Sequence, residues 1–207
     1  MVGKPLAFDE VYKTVKRAIL GGMFLPGHRI DSGRLQSLVR MSNTPVREAL
    51  RCLSAEGLVE AHPREGFYIP YMSETSLSSL YDWLHSVTLF AVRAGIPTHA
   101  ATQKAIDFDA LQEMPVEEAT AIFFLAVAIA SGSIEAEAAM RRSNDRLFLI
   151  RTLEEGLLAD RAEELADLVG AWREAAYDAF EALLANYVSR RQAIVPTLVR
   201  LVHRPAL

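Results

Sequence analysis

Thr44, Arg47 and Arg51 stand three and four residues apart. On a helix that spacing brings a hydroxyl and two guanidinium groups to one face. Such a face can enter the major groove of duplex DNA, where guanidinium reads guanine or holds phosphate oxygens. On a helix without a nucleic-acid context it is a solvated charged surface. The opposite side of the segment is apolar, because Val46, Ala49, Leu50 and Leu53 recur at spacings of three, one and three, the inward stripe of a packed helix. Ser42 or Thr44 offers an N-cap oxygen. Pro45 suits the first turn, since the amide it lacks would have no intrahelical partner there.

The elements around this helix favour the first of the two readings. Residues 8–20 place Val11, Val15, Ile19 and Leu20 at helical spacing before Gly21-Gly22, which favours termination. Leu25-Pro26-Gly27 is turn chemistry, and Asp31 and Ser32 can cap a second helix with Leu35, Leu38 and Val39 inside. After the third helix, Glu56-Gly57 marks a stop, Leu58 to Ala61 a short strand, His62-Pro63-Arg64-Glu65-Gly66 a tight turn and Phe67-Tyr68-Ile69 the returning strand. Three helices and a hairpin make a winged helix-turn-helix, with Arg34, Arg40, Arg51 and Arg64 available to phosphates. His62 precedes the wing turn, where it is either solvated or near phosphate. Cys52, beside the apolar stripe, is predicted to be a small packed side chain.

Over residues 8–70 the chain resembles the GntR family of bacterial regulators. The resemblance is carried by Leu25-Pro26-Gly27, by Ser42-Asn43-Thr44-Pro45-Val46-Arg47-Glu48-Ala49-Leu50, by Leu53-Ser54-Ala55-Glu56-Gly57-Leu58-Val59 and by Pro63-Arg64-Glu65-Gly66-Phe67. It implies that Ser42, Asn43, Thr44 and Arg47 contact bases and phosphates, and that Gly66 lets the wing backbone enter the minor groove. Two positions depart from the family pattern: Asn43 stands where arginine is usual and Arg40 where glycine is usual. Asparagine pairs best with adenine and arginine with guanine, so the first departure implies an altered operator preference.

The sequence predicts two domains, the winged helix over residues 1–71 and an all-helical bundle over 72–207, a mainly α protein. Ser73-Glu74-Thr75-Ser76 caps a long helix carrying Leu77, Leu80, Tyr81, Leu84, Val87 and Phe90. Further helices are expected near residues 108–114, over 116–131 and over 134–158. An amphipathic helix with Leu165, Leu168, Val169, Trp172, Ala176, Phe180 and Leu183 comes next, then a last helix over about 188–202 that contains Pro196. This half resembles the effector domain of the FadR-like branch of the family. Many members of that branch hold a metal with one Asp and three His; here Thr120 and Phe124 occupy the Asp and His positions and residues 101–202 contain no histidine. No metal and no cofactor are therefore expected. Leu84 also replaces the arginine usual on the first long helix. A small-molecule effector, if bound, is expected to be apolar or weakly polar, against Tyr81, Thr120, Phe123, Phe124, Trp172 and Tyr177; alternatively these side chains fill the core. The adjacent pairs Glu117-Glu118, Glu154-Glu155 and Glu163-Glu164 are expected to be surface charge.

Charge is uneven along the 207 residues. Residues 1–71 carry ten Lys/Arg against seven Asp/Glu, and the rest twelve against nineteen, as expected if only the first part meets a polyanion. One cysteine excludes an internal disulfide. The longest apolar run, residues 119–130, is too short for a membrane span of roughly 20 residues. No nucleophile with its base, phosphate loop or metal set is legible, so the chain is expected not to be an enzyme. The predicted protein is a cytoplasmic, nucleoid-associated homodimer that binds double-stranded operator DNA as an effector-modulated repressor. The alternatives are a protein-interaction winged helix, or a DNA-binding module whose helical domain only dimerises.

Overall fold

The computed structural model describes residues 8–95 and 108–204, which are mainly helical. Two compact units emerge, Met1–Met72 with Val202–Leu207, and Ser73–Leu201.

In the first unit, α1 (Phe8–Leu20), α2 (Ser32–Val39) and α3 (Asn43–Ala55) pack around Val11, Val15, Leu35, Val46, Leu50 and Leu53. Asp31 caps α2 by accepting from the Gly33 and Arg34 amides. Gly57, at φ 77°, stops α3, with Leu58 N–H bonded to Leu53 O at 3.0 Å, the reversed closure that favours glycine. The antiparallel strands β1 (Glu60–His62) and β2 (Gly66–Tyr68) pair Ala61 with Phe67. β1 begins later than the apolar pattern suggested, because Leu58 and Val59 are buried against the three helices, and β2 takes in Gly66 but stops before Ile69. Residues after the Pro26-Gly27 turn join the other side of β2: Ile30 N–H donates to Phe67 O at 2.8 Å and Ile69 N–H to His28 O at 3.0 Å. Two sequence expectations fail here. Leu38 and Cys52 are exposed, since each lies just past the edge of its helix's buried stripe.

In the second unit α4 (Glu74–Gly95), α5 (Phe108–Gln112), α6 (Val116–Ala130), α7 (Ile134–Leu153), α8 (Arg161–Arg173) and α9 (Tyr177–Val202) form an all-helical assembly. Ser73 and Ser76 cap α4 reciprocally, the Ser76 amide donating to Ser73 Oγ at 3.0 Å and the Ser73 amide to Ser76 Oγ at 2.8 Å. Central to the assembly is α6, packed against α4, α7 and α8; its alanines let neighbouring helices approach closely. α7 ends at Leu153 and a 3₁₀ turn, Glu154–Gly156, follows, where a continuous helix to 158 was expected. The expected amphipathic helix through Leu183 is in fact two. Ala175, at φ 55°, breaks the chain after α8, so Phe180 and Leu183 belong to α9, which runs unbroken past 188 with Pro196 inside it. Phe90 and Trp83 are exposed, at 55% and 52%. Among the described residues no helix is long and apolar enough to cross a membrane.

Candidate nucleic-acid interface

The inward stripe of α3 is fully buried, which fixes the rotation of the helix and turns Asn43, Thr44, Arg47, Glu48 and Arg51 outward. Ser42 is the N-cap but makes no side-chain capping bond. Ser42, Asn43 and Thr44 are exposed at this helix start, and a helix N-terminus whose first amides are not taken up by a cap is where an anion is accepted. Arg34, Arg40 and Arg64 are exposed as well, and none of these arginines forms an ion pair among the described residues.

Two of the arginines are braced by rings. Arg47 Cζ lies 5.8 Å from the Phe67 ring centroid, linking α3 to the wing, and Arg34 Cζ lies 5.4 Å from that of Phe24. A cation over an aromatic face loses little of its charge to a partner and is held in place. Arg40 sits at φ 53°, ψ 40° as the C-cap of α2. This left-handed geometry explains why glycine is usual there, and costs a residue with a Cβ about 1 kcal/mol. At the wing tip Arg64 has φ 69° and Gly66 φ 107°, and a Cβ on Gly66 would stand 3.4 Å from Arg29 Nε. Gly66 is required by its backbone, since side-chain residues rarely adopt that φ.

Arg29 is the functional candidate missed by sequence reasoning. It is exposed, pairs with Tyr68 across β2 and lays its guanidinium beside Gly66. Its only local signal is its place two residues after Gly27. His62 is exposed between Glu60, 3.3 Å away, and Glu65, 3.9 Å away, with its ring 4.8 Å from that of Tyr68. Behind the interface, α1 is tied to the end of α3 by Lys16 and Glu56 at 3.0 Å and by the Tyr12 hydroxyl, which donates to Glu56. Burial first, and then the bond to Glu56, push the Tyr12 hydroxyl up to about 12.

The residues proposed for an effector lie in the helical unit. Tyr81, Phe123, Phe124, Trp172 and Thr120 are buried and Tyr177 is half-buried. Phe123 meets Trp172 edge-on at 6.2 Å and Phe180 at 6.3 Å, and Thr120 spends its hydroxyl on Val116 O. A cavity of about 410 Å³ lies elsewhere, lined by Leu111, Met114, Val116, Leu165, Val169 and Arg173 among others.

Sequence reasoning also missed a buried ionic network. In two of the acidic pairs one carboxylate turns inward: Glu154 and Glu164 are buried, while Glu155 and Glu163 are exposed. Arg191 from α9 meets both, its Nε 3.2 Å from Glu154 Oε2 and its Nη1 2.7 Å from Glu164 Oε2. The Tyr81 hydroxyl donates to Glu154 Oε1 at 2.7 Å, and Arg190 reaches Glu164 Oε1 at 3.0 Å. Burial works against the Arg191 charge, but Tyr187, Glu154 and Glu164 outweigh it and hold the guanidinium above its usual range. Burial and the Glu154 charge keep the Tyr81 hydroxyl protonated.

Residues 7–69 match the model of the bacterial regulatory proteins of the gntR family. Over 72 residues the chain is 35% identical to the uncharacterized HTH-type transcriptional regulator YdhC of Bacillus subtilis, covering 35% of this chain and 32% of that protein. Over 84 residues it is 33% identical to the Nta operon transcriptional regulator of Aminobacter aminovorans, covering 41% and 37%. The aligned part thus spans about a third of the length of these relatives. Among solved structures, E. coli McbR/YncC matches with a TM-score of 0.66 at 20% identity over 93% of this chain and 98% of that one. A putative GntR transcriptional regulator from Rhodococcus sp. RHA1 matches with a TM-score of 0.68 at 18% identity over 92% and 97%. At these identities the shared property is the fold.

Proposed function

We propose that residues 7–69, which match the model of the bacterial regulatory proteins of the gntR family, are a DNA-binding domain, and that the chain is a transcription regulator that binds operator DNA through α3 and the wing. The observation that carries this reading is the outward face of α3. Asn43, Thr44, Arg47 and Arg51 are exposed there beside an open helix N-terminus, and Arg47 leans on the wing through Phe67. Arg47 and Asn43 are the base-reading groups, and Arg29, Arg34, Arg40, Arg51 and Arg64 hold phosphates. The protein acts as a homodimer, because one recognition helix reads only a few base pairs and two-fold pairing doubles the contact. Trp83 and Phe90 on α4, and Ile122 and Ile129 on α6, each pair seven residues apart and exposed, offer apolar surface for a second copy. The helical unit, of the FadR-like kind, senses a small molecule that weakens DNA binding, so the regulator represses.

Selection from a random duplex pool, followed by titration of the recovered site at several salt concentrations, tests this reading. A two-fold symmetric site, bound by two chains with an affinity that falls steeply with salt, is expected. Recovery of no site, or binding indifferent to salt, would favour a protein-interaction module.

A further inference from the structure

The outward face of α3 carries one group of the wrong sign for a polyanion. Glu48 is exposed four residues after Thr44 and three before Arg51. It therefore stands between them on the face that the buried Val46, Ala49, Leu50 and Leu53 turn outward. Arg47, the residue before it, lies over the Phe67 ring on the side of the wing. One step along a helix is a rotation of about 100°, so Glu48 occupies the flank of the face away from Phe67. The cations beside it do not take it up, since neither Arg47, Glu48 nor Arg51 forms an ion pair among the described residues. Nor does the helix need it, because Glu48 lies beyond the first turn, where a carboxylate would favour the helix dipole.

In the free protein such a carboxylate keeps its hydration. In a groove it loses part of it, and it can only accept hydrogen bonds. Phosphate oxygens, guanine N7 and O6 and thymine O4 are all acceptors and repel it. The donors on the major-groove edge are the adenine N6 and cytosine N4 amino groups, and adenine sets its N7 acceptor beside the donor. Cytosine is the base that offers a donor alone.

We propose that Glu48 is a specificity-determining residue of α3, whose carboxylate accepts from the N4 amino group of one cytosine in each half-site. That cytosine lies in a base pair neighbouring the one read by Arg47, because adjacent Cα atoms, about 3.8 Å apart, match the rise of about 3.4 Å per base pair. Guanine and thymine are rejected at the position. The proposal rests on operator binding through α3 and deepens it by adding a base that Asn43 and Arg47 do not read.

The test is selection from a random duplex pool by the full chain and by Glu48→Gln, followed by titration of the wild-type site and of the same site with that cytosine pair changed to thymine. Wild type is expected to select cytosine next to the position whose preference Arg47→Ala relaxes, and to bind the thymine duplex about tenfold more weakly. Glu48→Gln is expected to separate the two duplexes by less than about twofold and to select adenine there, since glutamine pairs with adenine. Its salt slope is expected to stay that of wild type, because no phosphate contact is removed. Identical base preferences in the two proteins would overturn the proposal. So would a variant that binds every duplex more tightly by one factor with the cytosine preference intact, which would make Glu48 a repulsive charge alone. A measurement on wild type needs no variant: 2-pyrimidinone in place of that cytosine lacks the N4 amino group. Wild type is expected to lose about tenfold on this duplex, and equal affinity would overturn the proposal. A wild type that selects no site would remove operator binding and this role together, whereas a selected site without the cytosine would remove only the role of Glu48.

Discussion

The two units carry their charges in opposite ways. In the winged-helix unit Arg29, Arg34, Arg40, Arg47, Arg51 and Arg64 stand outside with no ion pair among the described residues, Arg34 and Arg47 lie over aromatic rings, and the core beneath is apolar. In the helical unit Arg151, Arg191, Glu154 and Glu164 are inside, and Phe123, which was a candidate for a ligand cage, packs against Phe124 and Trp172. A charge at the surface keeps its hydration and costs little until a polyanion arrives. A buried charge carries a desolvation cost that a partner must offset. The first unit is therefore built to meet something from outside, and the second depends on contacts between distant parts of its own chain.

Breaking the buried network should give the largest effect. Arg191→Leu leaves Glu154 and Glu164 buried without their main counter-ion, and is expected to cost about 3–5 kcal/mol in denaturant unfolding. A loss below about 1 kcal/mol would place these charges on the same footing as the exposed ones. Arg47→Ala should leave stability nearly unchanged while weakening DNA binding by about 1–3 kcal/mol with relaxed base preference; unchanged affinity in a mobility-shift titration would remove Arg47 from the interface. Arg40→Gly sharpens the contrast, because it relieves the left-handed C-cap and should stabilise the protein by about 1 kcal/mol while weakening DNA binding. A gain in stability with no loss of affinity would make Arg40 a tolerated departure without a phosphate contact. The smallest effect is expected from Arg29→Ala, which should weaken binding uniformly across sequences and lower the salt slope by about one. An unchanged slope would leave Arg29 as wing support alone.

The two units also differ in how much of them could be read in advance. The three helices, the hairpin and the outward face of α3 follow from spacing within a few residues. Arg29 escaped because its role depends on a bridge to Tyr68, almost forty positions along the chain. The break after α8 escaped because Ala175 is not a residue whose type signals a left-handed turn. The inward turn of Glu154 and Glu164 had a partial signal, since adjacent helical residues must diverge and one of each pair can face the core. The counter-ion did not, as it comes from a helix much later in the sequence.

Sequence alone determined the helical periodicities, the caps at Asp31 and Ser73, the stop at Gly57 and the display of Thr44, Arg47 and Arg51, because each is a local matter of backbone preference and of which side of one helix is apolar. Only the tertiary structure decided which charges are buried. Whether Glu154 and Glu164 meet Arg191 depends on how α7, α8 and α9 pack, and desolvation acts on the assembled core rather than on any stretch of chain.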